Sequence, residues 1–202
     1  MRVKICGLHP ARDVQVCIDL GVNFLGFVFY TKSPRNVNLK EIEALKNYNR
    51  LNSKFVAVTV NPSNEFIKNI VQKHFDYIQL HGSETKERVE EIKSMGLKII
   101  KAIKVRDEKD INEYKKYESA DIILFDTPGM EKSIEFPKDL ILKLPRGERF
   151  ALAGSISQNN IENIKKLGIT FCDLSSNLET DDEIGYKDHQ KIKKFIDKVN
   201  EI

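Results

Sequence analysis

Long apolar runs are missing from this chain, and so is any strong imbalance of charge. None of its 202 residues falls in a stretch long enough to span a membrane as a helix, so no membrane partner is expected. Lys+Arg 33 against Asp+Glu 30 leaves a net charge of only +3. Without a basic block or an aromatic–basic stripe, that excess does not argue for nucleic acid, although a local anion such as a phosphate remains compatible. Cysteine is sparse: Cys6, Cys17 and Cys172. An odd count with no Cys-x-x-Cys gives neither a disulfide framework nor a zinc site, and reduced thiols in a cytoplasm are the expectation. Met1-Arg2-Val3-Lys4-Ile5-Cys6 enters a strand directly, without signal-peptide architecture. Low-complexity segments, Pro/Ser-rich linkers and short repeats are also absent, so a single domain over 1–202 is expected.

What is present is a regular alternation. Charged residues make up 31% and hydrophobic residues 41%, the balance of a globular protein. Eight short apolar, β-branched or aromatic runs read as strands: Val3–Cys6, Phe24–Phe29, Phe55–Val60, Tyr77–Leu80, Lys98–Lys104, Asp121–Asp126, Phe150–Ala153 and Phe171–Leu174. Their continuity fits parallel strands buried on both faces. Between them, apolar residues recur at helical spacing, as in Val14, Cys17 and Ile18, or Ile192, Phe195, Ile196 and Val199. Ser63, Ser83 and Ser157 are predicted helix N-caps. A polar helix over roughly 107–117 and a short one near 137–144 complete the set. Eight βα units predict a closed (β/α)8 barrel, and 202 residues require its loops and helices to be short.

In such barrels chemistry gathers where the strands end. Strand one ends in Cys6-Gly7, strand four in Gln79-Leu80-His81-Gly82, strand six at Asp126, strand seven in Ala153-Gly154-Ser155 and strand eight in Asp173-Leu174-Ser175-Ser176-Asn177. The last two loops suit a phosphate. Gly154 lets the backbone approach an anion, a helix starting near Ser157 would aim its positive end there, and Ser175, Ser176 and Asn177 add donors. Ordinary turn and cap residues would look the same. Cys6 and Asp126 form a candidate base and acid for proton transfer, while residue type alone also allows a small buried hydrophobe and a turn residue. Asp173 is a rival acid, or a partner for a ribose hydroxyl. Arg35 is either a carboxylate clamp or a surface arginine. His81 is either a ligand contact or a structural hydrogen bond. The other histidines show no metal spacing.

The chain resembles phosphoribosylanthranilate isomerase. The resemblance rests on Val3-Lys4-Ile5-Cys6-Gly7; Leu25–Tyr30 with Lys32-Ser33-Pro34-Arg35; Val58–Pro62; Tyr77–Gly82; Phe125-Asp126; Leu152-Ala153-Gly154; Asp173–Ser176; and Gly185-Tyr186-Lys187-Asp188. It implies an Amadori rearrangement in tryptophan synthesis, acting on a phosphoribosyl substrate with no metal or organic cofactor. Cys6 would be general base, Asp126 general acid, and Arg35 would lie near the anthranilate carboxylate. Gly154, Ser175 and Ser176 would fall in the phosphate loops.

The sequence departs from the family pattern at Ser155, where a glycine is usual, and at Asn177, which is expected to tolerate left-handed geometry in place of another glycine. The largest departure is the run 128–138 after Asp126, where the family carries Gly-Gly-Thr-Gly and then Phe-Asp-Trp. That loop is expected to close over substrate. An epimerase would want metal-ligand histidines and carboxylates, and indole-glycerol-phosphate synthase a catalytic lysine; neither set fits. A non-catalytic barrel that binds a phosphorylated ligand is the alternative from another class. Oligomeric state is left open.

Overall fold

A computed structural model describes residues 1–127 and 136–202. Eight parallel strands pair in sequence order, and the eighth closes on the first. They are β1 Arg2–Cys6, β2 Phe24–Phe29, β3 Lys54–Thr59, β4 Tyr77–Leu80, β5 Lys98–Lys104, β6 Ile122–Asp126, β7 Phe150–Leu152 and β8 Phe171–Leu174. Each agrees with its predicted run to within a residue at either end.

The intervening helices are short, as the chain length demands. They are α1 Pro10–Asp19; α2 Leu39–Ile42, tightening into a 3₁₀ turn over Glu43–Asn47; α3 over 64–74; α4 Lys86–Ser94; α5 over 108–116; α6 Lys138–Lys143; α7 Ile161–Lys166; and α8 His189–Glu201. The middle of α3, Ile67–Val71, is widened to π geometry. Pro10 opens α1, where a missing N–H costs nothing. Ser63 caps α3 by accepting from the Phe66 amide. Two predicted caps are corrected. Thr85, not Ser83, caps α4. The helix expected near Ser157 begins only at Ile161, because Asn160 closes the preceding turn on the Ser157 amide and the Ser155 carbonyl.

Alternation along the strands sorts side chains into two cores. Outward residues such as Ile5, Leu25, Phe27, Phe55, Ile78, Ile99, Ile123 and Phe125 meet the helices. Inward residues fill the barrel: Phe24, Val28, Val56, Val58, Ile100, Ala102, Ile122, Leu124, Ala151, Ala153 and Phe171, with Cys6, Tyr30 and Tyr77 packed on them. The period of two carries that inner face upward to Gln79 on β4 and His81 just past it, Asp126 on β6, and Asp173 on β8 with Ser175 just past it. The predicted site residues on strands one, four, six and eight therefore share one mouth.

Candidate active site

Lys4 and Cys6 lie two residues apart on β1, on the same inward face. Facing them across β2 is Gly26, the register partner of Cys6. A Cβ on Gly26 would stand 3.2 Å from both Cys6 Sγ and Lys4 Nζ, so the missing side chain is the space these two groups occupy. From the other side, Asp173 of β8, the register partner of Lys4, accepts from Lys4 Nζ at 2.8 Å. Lys4 is only 1% exposed and Asp173 7%. Among the described residues, Asp173 Oδ1 is buried without a hydrogen-bond partner. Burial pushes the Cys6 thiol up, and Asp173 adds to that shift, while the cations Lys4 and Lys187 oppose it. For Lys4, burial works downward, but Asp173 and Cys6 outweigh it and the ammonium is held upward, in its charged form.

The second cluster is a relay between β4 and β6. His81 Nε2 lies 3.2 Å from Asp126 Oδ2, and Gln79 Nε2 lies 2.8 Å from His81 Nδ1. The Gln79 amide thus holds the ring from its Nδ1 side and leaves Nε2 facing Asp126. Both His81 and Asp126 are about a quarter exposed, so the pair opens to the mouth. The turn that carries His81 is braced from below. Lys101 of β5 donates to the Leu80 and Gly82 carbonyls and to Glu84, whose other oxygen accepts from the Asn61 and Gly82 amides.

The loops after β7 and β8 meet beside Cys6. Gly154 has φ +94°, and a Cβ there would stand 2.6 Å from Thr127 Oγ1. Ser155 takes φ +44°, strained for a residue with a Cβ. Ser175 donates to the Cys6 carbonyl, and Asn177 donates to the Ile156 carbonyl, tying the two loops together. Asn177 does not need its tolerance of left-handed backbone; it sits in the 3₁₀ turn Ser176–Leu178. The six-residue α7 starts four residues beyond Ser157, so the predicted helix end is replaced by a turn.

Arg35 is drawn inward, not left at the surface. Its stem passes over Gly7, whose Cβ would stand 2.7 Å from Arg35 Cδ. Its Nε and Nη2 fork onto the two carboxylate oxygens of Glu179, at 2.5 and 2.8 Å. The two parallel hydrogen bonds anticipated for a ligand carboxylate thus go to a residue of the chain. Glu179 also receives Lys187 Nζ at 3.0 Å. Burial works to raise the Glu179 carboxyl, but Arg35 and Lys187 outweigh it and bring it down to about 2. Of the predicted lid run 128–138, residues 128–135 lie outside the described residues, while Phe136 is buried and Lys138 opens α6.

The family model described as N-(5'phosphoribosyl)anthranilate (PRA) isomerase matches residues 3–198. The chain belongs to the phosphoribosylanthranilate isomerase family. It is 39% identical to the N-(5'-phosphoribosyl)anthranilate isomerase of Petrotoga mobilis, over 100% of this chain and 98% of that one. It is 36% identical to that of Aquifex aeolicus, over 97% of each. The crystal structure of the isomerase from Thermotoga maritima superposes with a TM-score of 0.87 at 29% identity, covering 100% of both chains. A phosphoribosylanthranilate isomerase solved with reduced 1-(o-carboxyphenylamino)-1-deoxyribulose 5-phosphate superposes at 0.85 with 28% identity, again over 100% of both chains. The chain is accordingly an isomerase of tryptophan biosynthesis on a closed (β/α)8 barrel.

Within this family fold, four side chains at the mouth escaped sequence reasoning as site residues. Lys4 and Gln79 each stand two residues before a singled-out residue on the same strand, so the inward period would have found them. Lys187 lies inside the Gly185–Asp188 segment that carried the resemblance. Glu179 had no signal, because nothing local marks the partner of Arg35, 144 positions away.

Proposed function

We propose that this chain converts N-(5-phosphoribosyl)anthranilate to 1-(2-carboxyphenylamino)-1-deoxyribulose 5-phosphate, with Cys6 as general base and Asp126 as general acid. One observation carries the reading: a thiol on β1 and the His81–Asp126 pair on β4 and β6 share the inward face at the carboxyl end of a single barrel. In the reaction Asp126 protonates the furanose ring oxygen. The C1–O bond breaks as the nitrogen lone pair forms the C1=N bond of a Schiff base. The Cys6 thiolate then takes the C2 proton, and the freed electron pair makes the C1=C2 bond of an enolamine and neutralises the nitrogen. Tautomerisation puts a proton on C1 and a carbonyl at C2. Atoms and electrons balance within the substrate.

His81 supports the acid: a proton held by the histidine–carboxylate pair is available to Asp126, and the Gln79 contact fixes the ring that carries it. Gly154, Ser155, Ser175, Ser176 and Asn177 supply the backbone and side-chain donors of the phosphate seat, beside Cys6. Val28, Val58, Ala102 and Ala153 give the mouth a small, apolar floor for the anthranilate ring. Arg35, with Nε and Nη2 on Glu179, offers the substrate carboxylate its Nη1 edge. Asp173, held by Lys4, acts on the field around Cys6 and is not the acid.

The test is to supply purified protein with phosphoribosylanthranilate and follow loss of anthranilate fluorescence. Cys6→Ala and Asp126→Asn are each expected to lower kcat by about 10²–10⁴-fold, while binding of the reduced product analogue persists. An unaltered rate in either variant refutes the role given to that residue.

A further inference from the structure

The mechanism needs a thiolate, yet Cys6 stands in a setting that resists one. A thiol half-buried against an apolar cluster and near a carboxylate favours its neutral form. The charged groups around it can be named by element. Lys4 lies below it on β1, Asp173 on β8, and Lys187, with its partners Glu179 and Arg35, on the segment after β8 and the loop after β2. Asp126 and His81 act from β6 and β4 through Asp173. Among these, Lys4 is placed differently from the rest. It shares the strand face of Cys6, and its Nζ and the Cys6 Sγ converge on the same vacant Cβ position of Gly26, 3.2 Å from each. Lys187 is by contrast tied to Glu179 and to the Ser175 carbonyl. A buried lysine is costly unless paired, and Asp173 Oδ2 provides the pair. The other carboxylate oxygen, Oδ1, has no partner among the described residues in the same buried spot.

We propose that Lys4 is a positioning residue for Cys6: its ammonium, anchored by Asp173, supplies the positive charge that stabilises the Cys6 thiolate, and Asp173 limits how much of that charge the sulfur feels. The two side chains act oppositely. Lys4 promotes the thiolate and Asp173 restrains it, so the basicity of Cys6 is set by a pair that need not touch the substrate. The inference rests on the base role of Cys6 only for its consequence in turnover.

Alkylation by iodoacetamide reads the thiolate without any substrate. Cys17 and Cys172 are 0% exposed and burial raises both, Cys17 to about 12, so the native protein reacts at Cys6; a Cys6→Ser control fixes the background. The pH midpoint of alkylation is measured for the parent, Lys4→Met and Asp173→Asn, each shown folded by circular dichroism. Lys4→Met is expected to raise the midpoint by about one unit, a tenfold loss of thiolate below it, and Asp173→Asn to lower it by a similar amount. The acid-side limb of the kcat/KM pH profile should move the same way. Midpoints unchanged from the parent in the folded variants overturn the proposal. Asp173→Asn is isosteric and decides the matter alone if Lys4→Met fails to fold. Midpoints that move as expected while Cys6→Ala retains full turnover would instead overturn the base role and leave the electrostatic coupling standing.

Discussion

At the scale of single residues, small side chains decide where the reactive groups go. Gly26 matters because of what it leaves open for Lys4 and Cys6. Gly154 matters for its backbone as well, since its φ of +94° and its approach to Thr127 both exclude a Cβ. Gly154→Ala is expected to cost about 1–3 kcal/mol of stability through backbone strain, measured by urea denaturation. With the loops after β7 and β8 holding the phosphate as proposed, its KM should rise more than its kcat falls, because Cys6 and Asp126 stay in place. A kcat loss with unchanged KM would place Gly154 outside the seat. Gly154 was legible in the sequence; Gly26 was not, because its importance lies in the contents of a neighbouring strand.

At the scale of elements, the loop after β2 is fastened to the segment after β8 by a buried triad. Arg35 and Lys187 both donate to Glu179, which is 6% exposed. Removing the only anion leaves two cations facing each other in a dry place. Glu179→Gln is therefore expected to lose about 3–5 kcal/mol at pH 7. The pH dependence has a definite sign. The folded carboxyl, at about 2, lies below its ordinary 4.5, so its contribution is complete above about pH 4.5 and is lost as pH falls toward 2. Urea denaturation across pH 7 to pH 2 should show the parent losing stability in that window and the gap to Glu179→Gln narrowing. A gap that stays constant with pH would mean the carboxylate charge is not what stabilises the triad. The strands themselves were legible as elements, since a parallel strand buried on both faces announces itself as a continuous apolar run. Helix starts were less so: Ser83 and Ser157 look like caps in sequence, but Glu84 is drawn across the fold to the Asn61 amide and Lys101 so that Thr85 caps α4, while Asn160 closes a local turn onto Ser157 and Ser155 ahead of α7.

At the scale of the whole molecule, closure makes each strand depend on both neighbours. Phe27, fully buried between β2 and the helices, stacks edge-on to Phe55 and meets Phe75. Phe27→Ala is expected to cost about 3–5 kcal/mol by leaving a cavity, seen as a lower urea midpoint with an unchanged slope. Because Phe27 points away from the mouth, kcat of the surviving folded enzyme should stay within about twofold of the parent, corresponding to well under 1 kcal/mol in barrier. A larger fall would mean the outer core transmits strain to the site.

The sequence by itself determined the eight strands, the order that closes them, and which strand ends carry a thiol, a carboxyl and glycine–serine turns, because each depends on a local period or a local turn. Only the tertiary structure decided that Arg35 forks onto Glu179, that His81 faces Asp126, and that Lys4 pairs with Asp173 beside Cys6. Those pairings join residues 45 to 169 positions apart, and electrostatic attraction at 3 Å leaves no periodicity in a chain for a reader to find.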